Sequence, residues 1–163
     1  MVLLMYLLKD NGRAAIVLPD GFLFGEGVKT TIKEKLLEEF NLHTIVRLPN
    51  GVFAPYTDIN TNLLFLEKGK PTKEIWFFEH PLPEGYKKYT KTKPIRHEEF
   101  ELEKQWWNKR EENQYAWKVS IEEIKSRNYN LDIKNPNNNR SNELESTEKI
   151  IEKLDYNFKK LSL

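Results

Sequence analysis

Two short apolar segments with nearly the same ending place the strongest constraint on the fold of this chain. Residues 13–22 read RAAIVLPDGF, and residues 43–53 read HTIVRLPNGVF. Each is rich in branched apolar residues and closes on a Pro-Asp-Gly or Pro-Asn-Gly turn, which is typical of a buried strand that runs into a loop. Between them an apolar residue recurs every four positions, at Val28, Ile32, Leu36 and Phe40. This spacing predicts a helix with one buried face, and therefore a strand, helix, strand unit with parallel strands.

The loops that follow these two strands are expected to lie side by side. In a right-handed crossover both parallel strands end at the same edge of the sheet, where open α/β sheets bind ligands. The second loop, residues 49–60, is longer than a tight turn and contains two aromatic residues, Phe53 and Tyr56. Both loops are therefore candidates for the walls of a binding crevice. The alternatives are that both are ordinary exits from a strand, and that Phe53 anchors its loop to the core.

The middle of the chain predicts two further strands and two helices. The segments ending at residue 68 and beginning at residue 74 are largely apolar, and the five-residue link between them, residues 69–73, favours an antiparallel hairpin. A charged helix is expected over residues 98–112. Ser120, with Glu123 three positions later, predicts the capping box of another short helix.

Both ends of the chain contain apolar segments that are expected to pack against other parts of a larger protein or against a partner. Residues 2–8 resemble the last turns of a buried helix that stops at Gly12, so we expect the chain to start inside a larger domain. The apolar run of residues 1–8 cannot span a membrane, because eight helical residues rise about 12 Å against a hydrocarbon thickness of about 30 Å. Near the other end, apolar residues follow in steps of three and four, at Ile151, Leu154, Phe158 and Leu161. Such a stripe packs on a partner helix or on its own domain.

The predicted organisation has four parts. They are an α/β domain over residues 1–96, a helical extension over 97–134, a flexible hinge over 135–141 and a C-terminal helix over 142–163. The hinge is predicted from the sequence KNPNNNRSN, which offers no side chain to a core.

Composition excludes several classes of function. Lys and Arg number 26 against 25 Asp and Glu, so the net charge of +1 creates no global attraction to nucleic acid or membranes. There is no cysteine, which excludes disulfides and thiolate nucleophiles and fits a cytosolic location. The three histidines lack metal-ligand spacing, and no serine lies in a nucleophile elbow. The residues therefore indicate no metal site and no self-contained catalytic centre.

One local run of charge is nevertheless a candidate for binding phosphates. Residues 87–96 contain five basic residues and no acidic one, namely Lys87, Lys88, Lys91, Lys93 and Arg96. Lys and Arg supply charge to a phosphate backbone, and the neighbouring Tyr86 and Tyr89 can stack or donate a hydrogen bond. The alternative is an ordinary solvated loop.

Three blocks of the sequence resemble a known family. They are LKDNGRAAIVLPDGFLFGEG, VRLPNGVFAPYTDINTNLLFLEKG and AWKVSIEEIKSRNYNLDIKNP. In this order they are similar to the C-terminal part of the modification subunit of type I restriction enzymes, the adenine-specific DNA methyltransferases. The resemblance implies an α/β fold, the C-terminal half of a Rossmann-like S-adenosylmethionine-dependent methyltransferase sheet, with parallel strands, an antiparallel hairpin and C-terminal helices.

The resemblance also implies where the target base would lie. It places the loop of residues 49–60 beside a flipped adenine, with Phe53 or Tyr56 stacking on the base. The pocket candidates that it implies are Phe53, Tyr56, Thr57, Asp20 and Asn50, and the basic residues 87–96 become DNA phosphate candidates. The partners implied are DNA, a specificity subunit and the missing N-terminal half of the methyltransferase.

The family's cofactor motifs are not found in this sequence. In full-length members, the glycine-rich motif for S-adenosylmethionine and the Asn-Pro-Pro-Phe motif precede the segment that is present here. We therefore expect a fragment that is inactive alone, binds no cofactor and resides in a prokaryotic cytoplasm. The bare edge of the strand at residues 13–18 predicts self-association. Two alternatives stay open, a non-catalytic module that binds DNA or a subunit, and a nucleotide-binding loop at Gly25 and Gly27.

Overall fold

The structure, a computed structural model, describes residues 1–137. Its strands are β1 Arg13–Pro19, β2 Phe40–Arg47, β3 Thr61–Lys68, β4 Glu74–Glu79 and β5 Ala116–Ser120. Its α-helices are α1 Val2–Leu7, α2 Asp20–Leu23, α3 Val28–Glu39, α4 Glu101–Trp107 and α5 Ile121–Ser126, and a 3₁₀ turn His97–Phe100 precedes α4. The stripe predicted within residues 142–163 lies outside the described residues.

All five strands form one mixed sheet in the order β1-β3-β2-β4-β5. β3 is antiparallel to both β1 and β2, so β1 and β2 run in the same direction although they are not neighbours. β4 is parallel to β2, and β5 is antiparallel to β4. The carboxyl ends of β1, β2 and β4 therefore lie on one edge, here called the carboxyl edge. This confirms the prediction that the two similar strand ends share an edge.

The predicted hairpin between the third and fourth strands is wrong, because β2 lies between them. The antiparallel hairpin is formed instead by β2 and β3, across the long loop of residues 49–60. The five-residue link crosses the start of β2, where the buried Thr72 side chain donates to Phe40 O at 2.7 Å and accepts from Leu42 N at 2.9 Å. Five extended residues reach about 16 Å, enough to pass two strand spacings of about 4.8 Å each. The length of the link alone therefore could not predict which strand lies next to β4.

The predicted helices exist, with altered limits. α3 buries Leu36 and Leu37, whereas Phe40 begins β2 and Val28 is 77% exposed. The helix expected over residues 98–112 ends at Trp107, because the chain turns there to form β5, a strand that the sequence analysis did not predict within the helical extension. Of the predicted capping box of α5, the Ser120 half is confirmed, since Ser120 Oγ accepts from Glu123 N at 3.2 Å.

Two apolar clusters lie on the two faces of the sheet. Helices α1, α3 and α5 pack on the larger cluster, which contains Phe40, Leu64 and Phe77. α4 covers the smaller one through Trp106, against Val46 and Phe78. None of the helices within residues 1–137 has the length and apolar character needed to cross a membrane.

The first helix is less buried than the sequence predicted. Only Met5 of α1 is buried, because the helix rests one side on the sheet and nothing within residues 1–137 covers the other side. Its outer side carries Val2, Leu3, Tyr6 and Leu7, which are 61%, 68%, 82% and 66% exposed. The expectation of a buried helix is therefore wrong for the described part of the chain, where α1 presents a solvent-facing apolar surface instead.

Candidate nucleic-acid interface

A polar cluster joins the two similar strand ends at the carboxyl edge. Asn62 Nδ2 donates to Asp20 Oδ1 at 2.6 Å, and Arg47 Nη2 lies 4.0 Å from Asp20 Oδ2. The same Arg47 pairs with Asp132 Oδ1 at 2.7 Å and donates through Nη1 to Ile133 O at 2.9 Å. The cluster therefore fixes the position of Asp20 and fastens a distant segment of the chain to this edge.

The loop of residues 49–60, here called the aromatic loop, begins and ends at the carboxyl edge. Its far end is attached to the neighbouring strand end, because Asp20 N donates to Asn60 O at 3.0 Å. Its tip is a compact turn in which Tyr56 N donates to Phe53 O at 2.9 Å. Phe53 is 41% exposed and Tyr56 is 92% exposed. Phe53 is therefore not a buried core anchor, and both rings are accessible to a ligand.

The basic segment, residues 87–96, packs directly on the aromatic loop. Tyr89 N donates to Asn50 O at 3.0 Å, and Lys88 Nζ lies 3.0 Å from Asp58 Oδ2. Gly51 has a φ of +84°, and a Cβ added there would lie 2.1 Å from Tyr89 O. Only glycine suits this close approach of two backbones. The two candidate regions are thus one structural unit.

Tyr89 anchors this unit and is not a surface group, which corrects the expectation that it could stack on or donate to DNA. The ring is fully buried. Its hydroxyl donates to Glu99 Oε2 at 2.5 Å and lies 3.3 Å from His80 Nε2, and His80 Nδ1 is hydrogen bonded to Glu103 Oε1. Burial and the Glu99 carboxylate raise the pKa of Tyr89 well above its ordinary value. The phenol therefore stays protonated.

The remaining sequence candidates lie around this unit. Thr57 Oγ1 accepts from Ile59 N at 3.1 Å and so shapes the aromatic loop. Lys93 Nζ lies 4.9 Å from the centre of the Tyr86 ring, and Arg96 N donates to Glu99 Oε1 at 3.0 Å. The side chains of the five basic candidates are all exposed. The structure therefore brings the basic run to the surface beside the aromatic loop.

A cleft of about 790 Å³ with both polar and apolar lining opens at the carboxyl edge beside this unit. Its lining includes Asn50 and Asn60 at the ends of the aromatic loop and Lys87 of the basic segment. Gln114 and Lys134 come from parts of the chain that the sequence analysis did not connect with the site. No pattern in the sequence indicates that these two residues lie near the strand ends. Lys134 is brought there by the contacts of Arg47 with Asp132 and Ile133, and Gln114 by the segment that leads into β5.

Comparison with known proteins identifies the family. A sequence model described as "N-6 DNA Methylase" matches residues 1–145. The chain is also 64% identical over 141 residues to the type I restriction enzyme EcoEI methylase subunit of Escherichia coli, an alignment that covers 82% of this chain. The chain belongs to the N-6 DNA methylase family.

Solved structures support the same family assignment. It is similar, with a TM-score of 0.82 and 51% identity over 87% of the chain, to a modification subunit of a putative type I restriction enzyme from Vibrio vulnificus YJ016. It is also similar, with a TM-score of 0.77 and 41% identity over 94% of the chain, to a protein from a study of type I R-M complex assembly and conformational transition. The resemblance to type I modification subunits and the Rossmann-like α/β fold are confirmed.

The chain matches only part of each relative. It spans 29% of the EcoEI methylase subunit and 32% and 34% of the two solved chains. The activity and partners of whole subunits are therefore not properties that these similarities assign to this chain.

The glycine loop before α3 has a geometry unlike that of a phosphate cradle. Lys33 is buried, and its Nζ donates to Leu23 O at 2.8 Å and to Gly25 O at 2.9 Å. Lys29 Nζ donates to Gly21 O at 2.9 Å. Burial, with a contribution from Lys29, lowers the pKa of Lys33. The loop thus turns its carbonyl groups toward two lysines, whereas a phosphate site presents N–H groups.

Proposed function

We propose that the chain forms the target-base and DNA-contacting part of a type I adenine-specific DNA methyltransferase subunit. The observation that carries this proposal is the aromatic loop, which exposes the rings of Phe53 and Tyr56 at the carboxyl edge. The two ends of this loop are held in place by backbone hydrogen bonds. Aromatic faces beside a crevice suit a base that has left its stack.

Each pocket candidate has a role consistent with its contacts. Phe53 or Tyr56 stacks on the adenine, and the exposed side-chain amide of Asn50 can hydrogen bond to the edge of the adenine ring. Thr57 holds the turn in shape. Asp20 forms the neighbouring wall, where its bond from Asn62 makes it a positioning group rather than a proton acceptor for the substrate.

The basic segment supplies the DNA phosphate contacts in this proposal. Its five basic residues lie next to the aromatic loop, and phosphate contacts position a protein on DNA without reading sequence. The net charge of +1 supplies no general attraction, so these contacts must act locally.

The S-adenosylmethionine site and the catalytic motif are proposed to lie in the part of such subunits that this chain does not match. Isothermal titration calorimetry of the purified chain with S-adenosylmethionine tests this directly. We expect no binding heat up to millimolar cofactor. Binding in the micromolar range would refute the proposal that the cofactor site is missing.

A second candidate function is a non-catalytic interaction module, favoured by the exposed apolar side of α1 and by β1, which pairs on one side only within residues 1–137. Unpaired strand edges associate with other chains. In the first proposal this surface receives the missing N-terminal half of the methyltransferase, and a specificity subunit contacts another part of the chain.

Association experiments separate these partners. Co-elution with a specificity subunit supports a subunit contact, whereas co-elution only with an N-terminal methyltransferase half supports completion of the sheet. Light scattering of the isolated chain tests self-association through β1. A monomer at every concentration, with the β1 amides protected from hydrogen exchange, contradicts the exposed-edge hypothesis.

A further inference from the structure

We propose that the cleft at the carboxyl edge holds the DNA nucleotide next to the target base. In this arrangement Lys87 and Lys134 bind its phosphate, and the side-chain amides of Asn50 and Gln114 contact its base. The inference rests on the proposed function and deepens it, because it assigns residues to the strand that flanks the adenine.

Five side chains of the cleft lining are free to meet a ligand. Within residues 1–137, the side chains of Asn50, Asn60 and Gln114 make no hydrogen bond, and those of Lys87 and Lys134 make no hydrogen bond or ion pair. All five residues are exposed. The cleft therefore contains unused amide donors and acceptors together with unused positive charge.

The other charges of the cleft are already engaged. Asp20 accepts from Asn62 and lies near Arg47, while Arg47 pairs with Asp132. The second carboxylate in the lining, Glu79, also has an interaction partner. The two lysines are thus the charges left for a ligand, and they favour an anionic one.

The combination of groups fits a nucleotide better than a simple anion. A side-chain amide carries a donor and an acceptor in one plane, which matches the edge of a base, and lysine binds phosphate as a point charge. The volume of about 790 Å³ lies within the range of about 300–1,000 Å³ typical of ligand sites. Because Asn50 and Asn60 lie at the two ends of the aromatic loop and line the cleft, an occupant of the cleft lies directly beside a base held by that loop.

Nuclear magnetic resonance of the ¹⁵N-labelled full chain tests the inference, because it detects even millimolar binding. The probe is a single-stranded pentanucleotide with a central adenine. We expect the side-chain amides of Asn50 and Gln114 to shift together with the backbone amides of the aromatic loop. Inorganic triphosphate is the control ligand, and it should leave the Gln114 amide in place.

The outcomes separate this inference from the proposed function. Shifts in the aromatic loop without shifts at Gln114 overturn the cleft assignment only. Shifts in neither region overturn both. If triphosphate reproduces the shift at Gln114, the cleft is an anion site and the nucleotide assignment fails.

A matched pair of lysine variants gives a second test. Lys134→Ala should weaken pentanucleotide binding about threefold and reduce the salt slope by about 0.7, the effect of losing one phosphate contact on a single strand. Lys125→Ala removes the same charge from an exposed position on α5, away from the cleft, and should leave the affinity unchanged. Equal effects of the two variants contradict a phosphate contact at Lys134.

Discussion

The aromatic loop and the basic segment lie against each other, but they use tyrosine in opposite ways. Tyr56 is 92% exposed at the tip of the aromatic loop, whereas Tyr89 is fully buried where the basic segment crosses the base of that loop. Both are tyrosines in polar stretches of sequence. The difference teaches that one tyrosine of this interface is exposed to a ligand and the other anchors it, through a hydrogen-bonded phenol and a backbone that lies against Gly51.

The largest expected effect tests the anchoring role. Tyr89→Ala removes a buried ring and leaves His80 and Glu99 without their shared partner, so we expect a loss of about 3 to 5 kcal/mol in the free energy of unfolding. Tyr56→Ala is the matched control and should stay within about 0.5 kcal/mol of the parent. Urea unfolding measures both. Similar losses would show that burial does not distinguish the two rings.

A glycine pair tests the close approach between the two regions. Gly51→Ala places a Cβ 2.1 Å from Tyr89 O at a φ of +84°. Gly85→Ala has a similar φ of +78° but has no atom within 4 Å of the added Cβ. Gly51→Ala should therefore lose about 1 to 3 kcal/mol more than Gly85→Ala, because the clash adds to the backbone strain. Equal losses in thermal or urea unfolding would mean that the two segments separate easily.

A smaller effect concerns the phenol itself. The pKa of Tyr89 is raised from its ordinary 10.0, so above pH 10 the unfolded chain releases a proton that the folded chain keeps. The stability from this group is fully present below pH 10 and is lost as the pH rises further. Tyr89→Phe should remove this alkaline loss and, at neutral pH, cost about 1 kcal/mol for the hydrogen bond. Urea midpoints at pH 8 and at pH 10.5 measure it, and an unchanged pH dependence in the variant would contradict this role.

The smallest effect is expected at the surface contact between the two regions. Lys88 and Asp58 are 47% and 62% exposed, so Lys88→Ala should change stability by less than about 0.5 kcal/mol. A double-mutant cycle with Asp58→Asn isolates the pair. A coupling well above that value, insensitive to salt, would show that the ion pair rather than Tyr89 joins the two regions.

Local signals were sufficient for much of the fold. The four-residue apolar spacing located α3, and the Ser120 to Glu123 pattern located the start of α5, since both depend on residues within a few positions of each other. The shared edge of β1 and β2 also followed from the order of elements. The position of β3 between them did not, because strand pairing depends on contacts between residues far apart in sequence. The placement of β4 beside β2 also did not, because the five-residue link after β3 is long enough to pass over β2.

The candidate site likewise has features that the sequence predicted and features that only the structure shows. The exposed rings of the aromatic loop could be proposed from sequence, because a long aromatic connection between two strands is a local feature. The burial of Tyr89 could not, because its hydroxyl partners His80 and Glu99 come from the residue after β4 and from the 3₁₀ turn, and His80 is in turn held by Glu103 of α4. The cleft needed Arg47 to fasten a segment that lies 86 residues further along the chain.

The sequence by itself determined the family, the main helices and most of the strands, and the common edge at which the strands deliver their loops. These features depend on composition, periodicity and motifs that are read along the chain. Only the tertiary structure decided which strands pair, which tyrosine is buried and which lysines remain free. Those outcomes depend on contacts between residues far apart in sequence, where backbone clearance and hydrogen-bond partners are set by packing.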